Sequence, residues 1–244
     1  MTPPRTRGPD ERLKNRRRAS HSMESVMTEA VKLLDEAGDS ALTFRALAAR
    51  MGGGVASIYW YVDSKDELLE RAADHVMDQV LADTEQFAGG DPIDDLRSTA
   101  IVLFKAVADR PWLGAYFMRN TGNQPNSLRY YERIGQQVLR LGLDPLETFH
   151  AASAVVGYVI GIAADLGQQP PEEIVTGETF REEFFAKTVA EWNELDPAEW
   201  PFLHTILDVF ENHDDTDQFI AGLDLLLAGL RLQAGADTPG SDVD

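Results

Sequence analysis

Residues 42–69, LTFRALAARMGGGVASIYWYVDSKDELL, constrain the fold more than any other stretch, because each part dictates a local backbone. Thr43 can accept a hydrogen bond from the first turn of a short helix whose apolar face is Phe44, Leu47, Ala48 and Met51. Gly52, Gly53 and Gly54 then stop that helix, since glycine adopts the positive φ that a sharp turn needs. A second short helix is predicted over 55–61, with Val55, Ala56 and Ser57 at its start, Tyr59, Trp60 and Tyr61 at its end, and Trp60 half in the core. Ser64 and Glu67 have the spacing of a capping box, so a third and longer helix begins at Lys65. Two helices joined by a tight glycine turn make a helix-turn-helix, and the small residues opening the second one let it approach a groove floor closely.

The rest of the chain is punctuated in the same way. Ser22 starts a helix carrying Met23, Val26, Met27, Ala30, Leu33, Leu34 and Ala37 at helical spacing, closed by Gly38. Asp-Pro recurs at Asp91-Pro92, Asp144-Pro145 and Asp196-Pro197, each offering a capping carboxylate and a proline for the first helical position, so a helix is expected at all three. Helices are predicted over 92–109, 111–119, 127–141, 145–166, 178–194 and 216–233, with 167–179 as a loop. No segment alternates as a strand would, which makes the fold class all-α.

Charge decides how the helix-turn-helix can be used. The net charge of −19 opposes binding to a polyanion, but it is unevenly spread. Residues 1–18 hold Arg5, Arg7, Arg12, Lys14, Arg16, Arg17 and Arg18 against Asp10 and Glu11, whereas 72–244 hold ten basic and thirty acidic side chains. Screening over a Debye length of about 8 Å hides the acidic body from a polyanion held at the head, and the basic arm is free to reach for phosphates or a minor groove. No cysteine is present, so disulfides and thiolate metal sites are excluded. No apolar run of about 18 residues stands out, and the Arg-rich start lacks the apolar stretch of a signal peptide, so a cytoplasmic protein without a membrane span is expected.

The order helix, glycine turn, "IYWYV" step and K-x-E-L-L resembles the DNA-binding head of the tetracycline-repressor (TetR) family over roughly residues 22–73. The resemblance implies an N-terminal three-helix DNA-binding domain over 21–72 and a C-terminal helical bundle for ligand binding and dimerisation over 73–234. A basic arm over 1–20 and a tail over 235–244 flank them. Carried over position by position, it implies DNA contacts from Thr43, Arg45, Val55, Ala56, Ser57, Tyr59, Trp60 and Tyr61, with Lys65 gripping phosphate and Arg16, Arg17 and Arg18 in support. Arg45 is the candidate for a bidentate guanine contact, and Val55 and Ala56 leave only apolar readout at the helix start. The function implied is that of a ligand-responsive repressor on a palindromic operator, as a homodimer whose reading helices stand about 34 Å apart.

Two features bear on the C-terminal part. Gly157 and Gly161, beside Val156 and Ile160, permit close helix packing, and Phe219, Leu223, Leu226, Leu227 and Leu230 share one face of the last helix; both sets are expected in the dimer interface. Trp112, Tyr116, Phe117, Tyr131, His150, Tyr158, Phe184 and Trp192 are candidates for lining an apolar effector pocket. By an approximate alignment Phe117 stands near the metal ligand of the family's founding members, which argues for a flat apolar or aromatic effector and against a metal-chelated one. A rival reading as a helical metalloenzyme rests on the Glu147/His150 pair, but a second Glu-x-x-His is missing, so neither a metal nor another cofactor is expected. An acidic protein-interaction module is the remaining alternative.

Overall fold

A computed structural model describes residues 22–119, 123–166 and 181–236, and all regular structure among them is helical. The eleven helices are α1 (Met23–Ala41), α2 (Phe44–Arg50), α3 (Val55–Ile58), α4 (Lys65–Thr84), α5 (Pro92–Ala108), α6 (Pro111–Arg119), α7 (Pro125–Leu139), α8 (Pro145–Leu166), α9 (Arg181–Asn193), α10 (Pro201–Glu211) and α11 (Asp215–Ala236). They form two compact units, Met1–Glu85 with Arg119–Glu132, and Gln86–Met118 with Arg133–Asp244. The first therefore takes in all of α4, beyond the boundary expected at residue 72.

In the first unit, Ser22 caps α1 by accepting from the Ser25 amide at 3.0 Å, and Gly38 breaks the regular helix with φ of +71°. Val26, Met27, Ala30, Leu33 and Leu34 are buried as their spacing requires. They meet Leu47 and Ala48 of α2, then Leu68, Leu69, Ala72, Ala73 and Val76 of α4, so one core holds the three helices together.

In the second unit, α5, α8 and α11 pack mutually. Their contact is built from Leu96, Leu103 and Phe104, from Val155, Val159 and Ala163, and from Phe219, Leu223 and Leu227. Phe104 stacks on Phe219 at 3.7 Å between ring centres, and burying such a side chain contributes roughly 1.5–3 kcal/mol. Two Arg–carboxylate ties flank this core, Arg97 to Asp224 at 2.6 Å and Arg231 to Asp91 at 2.8 Å.

Two of the three Asp-Pro sites start helices as expected. Asp91 accepts from the amides of Ile93 and Asp94, and Asp144 and Glu147 form a reciprocal capping box. Asp196-Pro197 does not: it makes a single turn, and α10, a helix not expected from the spacing, starts at Pro201 instead. A helix begun at Pro197 would meet Pro201 four residues later, where the second proline ring clashes with the Pro197 carbonyl and offers no amide.

By length and composition alone α8 is apolar enough to cross a membrane, a test that the core helix of a protein without a span also passes. Its apolarity has another use here: Ala152, Val155, Val159 and Ala163 are buried against neighbouring helices, while Ala154, Gly157 and Gly161 form an outward stripe.

Candidate nucleic-acid interface

The helix-turn-helix forms from the residues that predicted it. Thr43 caps α2 by accepting from the Ala46 amide at 3.1 Å. At the other end the Gly53 amide donates to the Ala48 carbonyl at 2.9 Å and the Gly52 amide to the Ala49 carbonyl at 3.2 Å, the paired bonds of a Schellman motif. Of the three glycines only Gly52 has a positive φ, +66°; Gly54 is the extended residue before α3. The second helix is shorter than predicted, ending at Ile58, with residues 59–61 in a turn.

That turn decides which aromatic side chains are available. Ile58 and Val62 bury completely, and of the residues between them Tyr59 and Trp60 point away from the core. Trp60, expected to be half core, is 89% exposed, and Tyr59 is 56% exposed with its ring edge-on to Phe44 at 4.7 Å. Tyr61 is half-buried, Val55 and Ala56 are exposed, and the Ser57 hydroxyl donates to the Gly54 carbonyl at 2.6 Å. Thr43, Arg45, Val55, Ala56, Tyr59 and Trp60 thus all lie at the surface of one motif.

The capping box of α4 differs in one bond from the usual pattern. Ser64 accepts from the Glu67 amide at 3.0 Å, but Glu67 reaches back to the Asp63 amide at 2.7 Å. That amide, with the Arg71 guanidinium, holds the Glu67 carboxyl below the ordinary value. The box sets the first residue of α4, Lys65, against the corner after α1: Nζ donates to the Asp39 carbonyl at 2.7 Å and stands 3.0 Å from Asp39 Oδ1.

Most of the head's positive charge is engaged inside the head. Residues 22–71 carry five cations against nine carboxylates. Lys32 pairs with Glu29 at 2.8 Å, Arg50 grips Glu36 through two bonds of 2.6 and 2.7 Å, Arg71 meets Glu67 at 2.9 Å, and Lys65 meets Asp39. The grip of Arg50 raises its own pKa and lowers that of Glu36. Arg45, exposed on α2, has no ion pair to a described residue. Arg16, Arg17 and Arg18 lie outside the described residues.

The residues expected around an effector lie on α6, α7, α8 and α9. Trp112 and Tyr116 are buried core of α6, with Phe117 edge-on to Tyr116. Trp192 packs on Phe210 between α9 and α10. Tyr158 donates its hydroxyl to the Phe219 carbonyl at 3.0 Å, and burial pushes its pKa up. His150 corrects its expectation: it is exposed, next to Phe149, at the outward side of α8, because the buried stripe of that helix runs through 152, 155, 159 and 163. Tyr131 is exposed in the first unit, and the Phe184 side chain lies outside the described residues. Glu147, the partner of His150 in the metalloenzyme reading, is occupied as the α8 cap and by Gln233 at 2.9 Å. A cavity of about 580 Å³ in the first unit is lined by other residues, among them Met27, Glu70, Asp74, His75 and Asn126, with Asn126 clamped to Asp74 at 2.8 Å.

The expected dimer residues split between two faces. Phe219, Leu223, Leu227 and Leu230 are the inward face of α11, buried within the single chain, which corrects their assignment to the interface; Leu226 and Val156 are half-buried. What α11 presents outward is Ala221, Leu225, Ala228, Gly229 and Leu232, with Leu225 and Leu232 three-quarters exposed. Gly157 and Gly161 of α8 are open, with nothing within 4 Å of where a Cβ would stand, and Ile160 lies beside them half-buried. Helical spacing carried the signal: 221, 225, 228 and 232 repeat as regularly as 219, 223, 227 and 230, but leucine count favoured the inward set.

Residues 26–72 match the model of bacterial regulatory proteins of the tetR family, and residues 88–234 match the tetracyclin repressor-like C-terminal domain. An HTH-type transcriptional regulator of Saccharopolyspora erythraea is 27% identical over 217 residues, covering 88% of this chain and 87% of the relative. A transcriptional regulator of Streptomyces coelicolor, SCO7222, is 33% identical with a TM-score of 0.74, covering 87% of this chain and 99% of that structure. ActR of the same organism, solved in complex with actinorhodin, shares the fold at 22% identity and a TM-score of 0.73, over 89% and 100% of the two chains.

Proposed function

The chain belongs to the tetracycline-repressor (TetR) family of bacterial transcriptional regulators, and from that premise we propose that it represses transcription as a homodimer on a palindromic operator until a small apolar or aromatic effector releases it. The observation carrying the reading is the surface formed by Arg45, Tyr59 and Trp60, three large side chains turned out of the head core beside the small residues that open α3. Arg45 reads a base edge, Tyr59 and Trp60 lie along the backbone, and Lys65 holds a phosphate. Since the folded head has more carboxylates than cations, the basic arm, Arg16, Arg17 and Arg18 included, supplies much of the remaining phosphate neutralisation.

The homodimer forms through the outward stripes of α8 and α11, where small residues allow close approach. The second unit holds the effector, its aromatic side chains supplying apolar contact, in keeping with the actinorhodin complex of a protein of this fold. The place of work is the cytoplasm, with the DNA. A gel-shift titration with DNA from upstream of the chain's own gene tests the reading. Arg45→Ala lowers affinity about tenfold or more and relaxes preference at one base pair, as loss of one bidentate contact should. Wild-type binding by this variant would sink the assignment of the reading face.

A further inference from the structure

We propose that Asp39 is an internal counter-charge to Lys65 that weakens its grip on phosphate, and so holds down sequence-independent DNA binding relative to operator binding. The inference rests on the reading of Lys65 as a phosphate contact. Gly38, at φ +71°, breaks α1 and turns both the carbonyl and the carboxylate of Asp39 toward the start of α4. The two oxygens have separate roles. The carbonyl, 2.7 Å from Nζ, is backbone and fixes where the ammonium sits. The carboxylate, with Oδ1 at 3.0 Å, adds a full negative charge without being needed for position.

An ammonium has three hydrogens, and Lys65 gives one to the Asp39 carbonyl while Oδ1 stands beside it as a charge without a hydrogen bond, so hydrogens remain for an approaching phosphate oxygen. That oxygen meets a cation already facing a carboxylate at 3.0 Å, and the carboxylate repels it. The carboxylate cannot simply turn aside into water, because Oδ1 is closed off from solvent. Drawing Lys65 away would leave Oδ2 with Arg119 at 3.9 Å as partial compensation. Phosphate contacts dominate non-specific affinity, whereas base contacts distinguish sequences, so damping a phosphate contact raises the ratio of specific to non-specific binding.

The test uses the full chain and a short random-sequence duplex, titrated by fluorescence anisotropy across a series of salt concentrations. Asp39→Asn removes the charge and leaves the carbonyl; Asp39→Ala is the second neutral variant if the first misfolds. Either should tighten binding about fivefold, as expected for one charge near contact distance in water, and steepen the dependence of log affinity on log salt. The same substitution made in a Lys65→Gln background should give no gain. Unchanged or weaker binding by both neutral variants, or an equal gain without Lys65, would overturn the proposal. Lys65→Gln alone judges the underlying reading: if it binds as the wild type does, Lys65 is not a phosphate contact and the proposal falls with it.

Discussion

The ring of Tyr158 crosses directly over Gly222: a Cβ added at residue 222 would stand 2.8 Å from Tyr158 Cζ and closer still to its hydroxyl oxygen. This passage is what lets α8 donate a hydrogen bond to the Phe219 carbonyl of α11. Gly222→Ala must therefore push the tyrosine aside, an overpacking error costing about 1–3 kcal/mol. Gly135→Ala, in a helix with open space around it, should instead stabilise by about 0.5–1 kcal/mol. Thermal unfolding of the two variants separates these signs.

The head turn depends on one glycine. Gly52→Ala places a Cβ at φ +66° and should cost about 1–2 kcal/mol, while Gly54→Ala, at ordinary φ and in open space, costs far less. Urea titrations of both report the difference, and equal midpoints would show that the turn tolerates either position.

The two faces of α11 respond to different assays. Leu227→Ala opens a cavity in the core and should cost about 2–5 kcal/mol. Leu225→Asp, on an outward side chain 76% exposed, should leave the single chain folded but shift the sedimentation coefficient from dimer to monomer. A Leu225→Asp protein that stays dimeric would rule out the outward stripe as the interface.

Trp60→Ala removes a side chain that is 89% exposed, so stability should stay within about 0.5 kcal/mol. DNA affinity should nonetheless fall, measurably in the same gel shift used for Arg45. A drop in melting temperature with unchanged DNA binding would reverse its role.

Acid should loosen the fold through identifiable carboxylates. The Asp63 amide and Arg71 hold Glu67 low, a side-chain hydrogen bond from Arg50 does the same for Glu36, and one from Arg97 for Asp224. A carboxyl whose pKa is lower folded than unfolded stabilises above its unfolded value, and that contribution is lost as pH falls through the folded one. Stability should be flat near neutrality and decline below about pH 4. Glu36→Gln should shallow the decline, read by chemical denaturation across pH.

Much of the head is legible in the sequence because local rules build it. Thr43, Ser64 and Gly52 act through bonds within a few residues, so spacing alone predicts them. The Glu67 carboxylate reaches one residue further than the capping-box rule places it, and α3 stops at Ile58, because burial of Ile58 and Val62 bends the chain after one turn. Pro201 is also a local signal, and it outweighs the Asp-Pro pair before it in deciding where α10 starts.

The sequence by itself determined the all-helical class, the helix-turn-helix, the arm's positive charge and the family resemblance, since all of these rest on neighbours along the chain. Tertiary structure decided the rest: Trp60 outward, Phe219 and Leu223 inward, His150 at the surface, and Lys65 held by a residue 26 positions away. A helix with apolar residues on two faces does not state which face its own chain will cover. Nor does a lysine state which oxygen will reach it first, because both depend on packing between segments that are distant in sequence.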